Sequence, residues 1–464
     1  KGTAMSASAR KHRRAAPKTS PRSALAVTIV PFASALVLLP TPAHALPAFA
    51  RQTGQPCAMC HVGGFGPQLT AYGREFKLNG YTWGDVKSRL ENFSAMIFGG
   101  MEHTSKDLTA NQQTTHYGAN NNWAVDQVSL FYGGKIAGNL GAFAQATYSG
   151  TGDSYSWDNT DIRYVRDAML GGKPLVYGVD VNNNPSLGDL WQSTPAWGFP
   201  YVSSGLAPGP DYAPYLAGSM AQTVGGLGFY GMWNDAIYAE LTGYMALPDN
   251  IQRPLGETVS GADHLSGVNP YWRLAYQKTL GPNYFSVGTF GMDTKRYPSD
   301  TRQDGTDTLL DTALDATYQY TTPDMNHAFS LYASALHEHQ DLGATHALGS
   351  STNTTDTLNQ YSENASYYYK NTYGLTVKRF DITGSADAGA YANTGKPDSA
   401  GWTFQADYTP WGKEGAPFGP NVNARFFLQY TMYNKFDGAS SNYDGAGRSA
   451  ADNNTLYFGT WLAF

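Results

Sequence analysis

From Asn92 onward the chain alternates apolar and polar residues at a period of two. In Ile237–Leu247 one face carries Ile237, Ala239, Leu241, Gly243, Met245 and Leu247, and the other Tyr238, Glu240, Thr242 and Tyr244. In Val422–Tyr433, Val422, Ala424, Phe426, Leu428, Tyr430 and Met432 oppose Asn423, Arg425, Phe427, Gln429, Thr431 and Tyr433. In Leu309–Tyr320, Leu310, Leu314, Ala316 and Tyr318 oppose Asp311, Asp315, Thr317 and Gln319. Such alternation places one set on each face of a β-strand. Charges that recur on one face suit a wet lumen better than the dry core of a soluble sandwich.

The pattern predicts about sixteen strands, at 92–103, 123–136, 141–150, 159–168, 173–181, 222–233, 236–247, 269–280, 284–296, 308–321, 325–339, 356–369, 373–383, 400–409, 421–436 and 451–464. Short turns at Gly138-Asn139-Leu140, Gly171-Gly172, Asn234-Asp235, Gly281-Pro282-Asn283, Pro323-Asp324 and Asn371-Thr372 alternate with long loops rich in Gly, Asn, Ser and Asp. Only the stretch 410–420 is long where a short turn is expected, so the count is good to two strands. Short turns on one side and long loops on the other are the asymmetry of outer-membrane barrels. The last stretch, Asn454–Phe464, alternates and ends on an aromatic residue, resembling the signal that outer-membrane assembly machinery recognises. Closing the first strand on the last would remove an exposed apolar edge. The expected fold class is therefore an all-β transmembrane barrel of about 16 antiparallel strands over 92–464.

Composition agrees. The chain has 51 Gly, 32 Tyr, 21 Phe and 10 Trp, but only 15% charged residues. Mean hydropathy is −0.40, and no apolar run after Leu46 is long enough for a membrane helix. Residues 1–45 differ from the rest. Arg10, Lys11, Arg13, Arg14, Lys18 and Arg22 precede an apolar run from Ala24 to Leu39, and Ala43-His44-Ala45 follows, an A-x-A pattern. This reads as a secretory signal peptide. Those residues hold seven of the 31 basic side chains and none of the 37 acids, leaving 24 against 37, a formal −13. An acidic exported chain with no basic stripe is expected to have no nucleic acid partner.

Residues 46–91 form a different unit, with the chain's only two cysteines in Cys57-Ala58-Met59-Cys60-His61. The C-x-x-C-H spacing lets two thiols bond the vinyl groups of a haem while the next imidazole ligates its iron. A structural disulfide and a thioredoxin-like redox pair are the competing readings; the latter belongs beside a βαβ pattern that this chain lacks. Export of the chain meets the condition for covalent attachment, so one haem c is the expected cofactor. Gly63, Gly64 and Gly66 are expected to let the backbone turn closely around a flat ligand. A helix is expected from Pro67 to Asn79-Gly80, with Leu69, Tyr72 and Phe76 on one face over the haem edge. About 45 residues bury little core alone, so this unit needs its ligand and a neighbouring surface.

Pro47–Gly54, Cys57–His61, Leu69-Thr70, Gly73-Arg74 and Phe76–Tyr81 resemble the fused monohaem cytochrome–porins of bacterial outer membranes. Asn182–Pro185, Asp189–Trp191 and Thr194–Pro200 resemble that family too. The resemblance implies a small helical c-type cytochrome module that plugs the barrel lumen. Cys57 and Cys60 would hold the haem, with His61 as the proximal iron ligand. It implies an electron-transfer protein of the bacterial outer membrane, taking electrons from extracellular Fe(II) to a periplasmic c-type cytochrome or copper protein. As an enzyme it would be an Fe(II):cytochrome c oxidoreductase. Another extracellular donor or acceptor, and a diffusion porin whose haem module acts as plug or sensor, are the alternatives.

The second axial ligand is open. Met96, Met101 and His103 on the first strand are the nearest candidates, and water or an open position is equally allowed. Arg51, Arg74 and Lys77 are candidates for the haem propionates. His337-Glu338-His339 is either a divalent-metal perch or a solvated strand end. Residues 182–221, with six prolines, either fold inward onto the plug or lie outside as a loop.

Overall fold

The computed structural model describes residues 47–464 except 195–197, 219, 260–263, 300, 414 and 417–420. The secretory signal, Leu46 and part of the Thr194–Pro200 stretch thus lie outside the described residues.

Three short helices come first: α1 (Pro47–Thr53), α2 (Cys57–Cys60) and α3 (Ala71–Leu78). Sixteen strands follow. They are β1 (Phe93–Thr104), β2 (Trp123–Ala137), β3 (Leu140–Ser149), β4 (Ser154–Leu170), β5 (Lys173–Asn182), β6 (Val224–Trp233), β7 (Ile237–Ala246) and β8 (Asn269–Leu280). The second eight are β9 (Asn283–Arg296), β10 (Asp307–Thr321), β11 (His327–Asp341), β12 (Thr355–Tyr369), β13 (Tyr373–Gly384), β14 (Ser399–Tyr408), β15 (Asn423–Lys435) and β16 (Thr455–Ala463). Each neighbours the next in an antiparallel ladder, and β1 pairs with β16 to close the barrel. Ala95 and Phe464 exchange backbone hydrogen bonds of 2.9 and 2.8 Å across that seam. Every expected strand is present, the largest error being β4, which starts five residues early.

The expected faces are the observed ones. On β7, Tyr238, Glu240, Thr242 and Tyr244 point into the lumen and are buried, while Leu241 and Met245 are exposed. On β15, Asn423, Arg425, Phe427 and Gln429 are buried, while Leu428 and Tyr430 face out. An outside so apolar is stable only against hydrocarbon. A closed ladder leaves no unpaired backbone there. Aromatic side chains collect on the outside at the short-turn end, with Tyr373 stacked on Tyr408 at 5.5 Å and Phe93 edge-on to Tyr132 at 5.4 Å. The chain is an outer-membrane β-barrel of porin type.

Inside, the lumen is filled at the short-turn end by residues 47–92. Their bonds reach around the wall: Gln52 Oε1 accepts from Lys135 N on β2 (2.8 Å), and Tyr81 Oη donates to Asp161 on β4 (2.5 Å). Tyr230 Oη on β6 donates to the Leu78 carbonyl (2.9 Å), Gln68 Nε2 to Ser330 on β11 (3.0 Å), and Arg425 Nη1 on β15 to the Phe65 carbonyl (3.1 Å). The segment between β5 and β6 also folds inward. Leu190, Trp191 and Leu216 are buried, and Lys77 Nζ donates to the Asp189 carbonyl (2.8 Å). That resolves the alternative left open for 182–221: its described part folds into the barrel, meeting the plug at Asp189 and Tyr201 and reaching the long-loop end at Asp211.

Candidate functional site

The Cys57–His61 motif forms one turn of helix and its exit. His61 N bonds the Cys57 carbonyl at 2.8 Å. Val62 N bonds the Gln68 carbonyl and Thr70 N the Cys60 carbonyl, both at 2.9 Å, so residues 61–70 make a tied loop. Thr70 Oγ1 then accepts from Gly73 N at 3.2 Å and caps α3. The helix therefore starts at Ala71, not Pro67, because Thr70 supplies the cap that the proline lacks. A Cβ on Gly73 would run into the Cys60 carbonyl, so α3 lies directly on α2.

Of the three glycines expected to wrap a ligand, Gly64 and Gly66 line the cavity beside the motif. Gly63 does not. At φ 77° it turns against the wall, where a Cβ would sit 2.5 Å from the Tyr368 ring. Its amide donates to Asn371 Oδ1 at 3.1 Å.

Cys57, Cys60 and His61 are buried together or half-buried and border one cavity of about 440 Å³. Its near walls are apolar: Phe49, Phe65, Leu69 and Phe76 from the plug, and Met96, Phe131, Phe143 and Trp461 from the barrel. Its far walls are carboxamides, including Gln127, Gln145, Asn159, Gln192 and Gln222. Of the expected helical face, Leu69 and Phe76 reach the cavity, joined by Gly73 and Lys77. Tyr72 instead packs edge-on against Trp83 at 5.4 Å. Leu69 precedes the helix and bridges to His61, so the 3.6-residue spacing did not apply to it.

The two thiols are unbridged, and no βαβ unit surrounds them. Burial pushes both up to about 12; at Cys57 a hydrogen bond from Asn423 Nδ2 to Sγ (3.0 Å) opposes that only in part. Burial pulls the His61 imidazole down to about 4, against the backbone of Gln68 and Gly66. Its Nδ1 is buried and has no hydrogen-bond partner among the described residues. A neutral imidazole and two thiols on a single turn of helix, beside a mostly apolar cavity, form the donor set that a covalently held haem uses. The residues present fit that group.

The barrel side separates the candidates for the second axial ligand. Met96 points inward, is buried, and lines the same cavity. Met101 and His103 do not reach it: they stand an odd number of residues from Met96 and lie on the outward face of β1. His103 Nδ1 pairs with Asn121 Oδ1 at 2.9 Å. The propionate candidates divide as well. Lys77 lines the cavity, and burial, reinforced by nearby Arg163, lowers its pKa to about 8 despite Asp161, Asp189 and Glu240. Arg74 turns away to the Leu69 carbonyl (2.7 Å) and Gln319 Oε1 (3.1 Å), its guanidinium 3.7 Å from the Tyr284 ring centroid. Arg51 holds the Glu91 and Phe93 carbonyls at the short-turn end. His337 and His339 are exposed together on the outward face of β11 while Glu338 points into the lumen, and His337 Nδ1 lies 2.7 Å from Asn359 Oδ1. Among the described residues no cluster of three or more His, Cys, Asp or Glu could hold a metal ion.

Sequence reading missed the group that locks the inward segment to the wall. Asp189 accepts from Trp191 N (2.9 Å), Ser193 N (2.6 Å) and Thr194 N (2.9 Å), and faces Arg273 Nε at 3.4 Å. Arg273 Nη2 also meets Asp315 Oδ2 at 2.8 Å. Burial opposes the Asp189 charge, yet Arg273 and these donors hold its pKa below the ordinary range.

No known protein family matches the chain by its sequence profile, and no curated protein matches it. Among solved structures the chain is similar to the anion-selective porin from Comamonas acidovorans, at 13% identity and a TM-score of 0.42 over 80% of this chain and 98% of that one. It is also similar to OmpT, an outer membrane protein of Vibrio cholerae, at 9% identity and a TM-score of 0.40 over 80% of this chain and 96% of that one. The outer membrane channel DcaP of Acinetobacter baumannii matches at 8% identity and 0.44 over 80% and 96%. With superpositions this loose, the fold assignment rests on the strand pairing itself.

Proposed function

We propose that the chain is an outer-membrane electron conduit that holds one haem c through Cys57, Cys60 and His61. In this reading it carries electrons from extracellular ferrous iron to a periplasmic c-type cytochrome or copper protein. The supporting observation is that all three motif side chains border one largely apolar cavity inside a closed barrel. Bound there, the haem would supply a one-electron Fe(III)/Fe(II) couple. The remaining work belongs to the chain. Asn423 orients the Cys57 sulfur. Burial keeps the His61 imidazole neutral and therefore able to ligate. Phe49, Phe65, Phe76 and Phe131 exclude water, and Met96 offers a thioether from the barrel wall. The plug and the inward segment narrow the lumen, which favours passage of electrons over passage of solutes.

The test is stopped-flow spectroscopy of the holoprotein in proteoliposomes, with ferrous iron added on the long-loop side. Reduction within the mixing time or shortly after supports the reading; a haem that answers other donors but not ferrous iron redirects it to them. The porin-type wall, with its polar inner faces, favours a second reading: a diffusion channel in which residues 47–92 act as a plug or sensor. Solute flux through a barrel whose pigment ignores external redox agents would establish that reading and end the first.

A further inference from the structure

The outward face of the barrel is not uniform. On β6 and β7 its residues are Leu227, Phe229, Trp233, Ile237, Leu241 and Met245, all apolar. On β12 and β13 the corresponding outward positions carry Glu363, Arg379 and Asp381. Glu363 and Arg379 are direct cross-strand partners. Arg379 Nη2 lies 3.7 Å from Asp381 Oδ2, and its guanidinium stands 6.0 Å from the Trp402 ring centroid. Glu363 is exposed and makes no ion pair or hydrogen bond among the described residues.

These charges are far from the rim. Glu363 stands six positions along β12 from Tyr369, whose ring marks the short-turn end of the apolar belt. At a rise of about 3.3 Å per residue and a tilt of about 45°, that is roughly 14 Å into a belt about 25 Å tall. Side chains facing hydrocarbon at this depth are normally apolar, because an ion there loses its hydration without a partner. Beside the charges the wall is hollow. Ala316, Ala333 and Ala335 are small, and with Leu314 and Tyr361 at the rim they leave a shallow concavity of about 580 Å³.

We propose that this face, spanning β10 to β13, docks a second copy of the chain within the membrane. The argument is charge complementarity under symmetry. Two copies inserted in the same direction are related by a two-fold axis along the membrane normal, and a two-fold contact sets each patch against itself. Glu363 and Arg379 sit on adjacent strands at nearly the same depth, so the axis passes between them and brings Glu363 of each copy opposite Arg379 of the other. The alanine hollow lies beside that axis and keeps this part of the wall low, so the two copies can approach closely. A lipid phosphate fits less well, because the patch has two acids to one base and lies well below headgroup level.

The full-length holoprotein is counted by native mass spectrometry from mild detergent and by single-molecule photobleaching in bilayers. Wild type is expected as a dimer. Glu363→Arg and Arg379→Glu are each expected to reduce the dimer fraction at least tenfold, and the double charge swap to restore it. Heat-modifiable gel migration reports that each barrel still forms. If a charge variant fails to assemble, Ala335→Trp places a large ring beside the axis without altering charge and should also give single copies. One copy per unit in wild-type bilayers, dimers that survive both single reversals, a lipid adduct on a monomer, or a different protein bound at this face would each overturn the proposal.

Discussion

The plug meets the barrel in two different ways on its two sides. On the α3 side it is bolted by buried polar groups: Tyr81 to Asp161, Lys77 to the Asp189 carbonyl, and Tyr230 to the Leu78 carbonyl. Arg163 stands behind them, 2.9 Å from Asp161 and 4.9 Å from the Tyr230 ring centroid. On the α2 side the wall bonds Cys57 through Asn423 and holds the loop after the motif through Asn371, Ser330 and Arg425, with open space beside the motif itself. The difference teaches how a barrel can position a small module and still leave room beside it. The charged contacts fix orientation, since each buried ion is costly without its partner. On the α2 side the one such ion described, Arg425 paired with Asp407, holds the Phe65 carbonyl beyond the motif, which leaves the apolar space beside Cys57 and Cys60 free to accept a ligand.

The largest test removes the open side's chemistry. Cys57→Ser with Cys60→Ser is expected to abolish covalently bound pigment completely, seen as loss of haem-dependent peroxidase staining on a denaturing gel. The barrel should still close, because none of its ladders involves either residue. Met96→Leu should keep the pigment; a changed ferric absorption spectrum would show that the Met96 sulfur ligates the iron, and an unchanged one that Met96 only lines the cavity.

The next tests act on the bolted side. Arg273→Met strands Asp189 and Asp315 in the interior and is expected to cost on the order of 3–5 kcal/mol, measured as a lower unfolding temperature together with raised single-channel conductance. Tyr81→Phe removes one bond to a buried carboxylate, with an expected loss of about 2 kcal/mol, read as faster hydrogen exchange in α3. If instead Tyr81→Phe loosened α2 as much as α3, the two sides would not be independent.

The smallest effect lies at the long-loop end. Burial and the neighbouring Asp211 carboxylate push Asp437 up to about 6, against a hydrogen bond from the Asp211 amide (3.1 Å). A carboxyl raised above its unfolded value binds its proton more tightly when folded. Docking of the 436–454 loop is therefore strongest below about pH 4 and weakens as pH rises to about 6. Hydrogen exchange of that loop, corrected for intrinsic rates, should follow this course, and Asp437→Asn should flatten it.

The wall was legible because alternation is a local signal. Tyr238, Glu240 and Thr242 face the lumen for the same reason that Leu241 faces lipid, and neither needs a distant contact to be assigned. Parity also held information about the site: Met101 and His103 are odd steps from Met96, so one strand could not aim all three at one ligand. The lock was not legible. Asp189 and Arg273 are 84 residues apart, and nothing near either marks the other as its partner. The direction taken by the segment after β5 was equally hidden. It depends on Asp189 finding Arg273, on Leu216 N finding Asp311 (3.2 Å) and on Tyr215 N finding Glu338 (2.5 Å), all across the lumen.

Closure of β1 on β16 sets a deadline for assembly. The plug precedes β1 in the chain and ends up enclosed by all sixteen strands. Once the seam from Met96–Ala463 to Thr104–Thr455 is shut, Cys57 and Cys60 are buried between plug and wall, with their sulfurs hidden from any enzyme large enough to modify them. Whatever is joined to those sulfurs must be joined while the chain is still open, so the order of maturation is written into the order of the sequence.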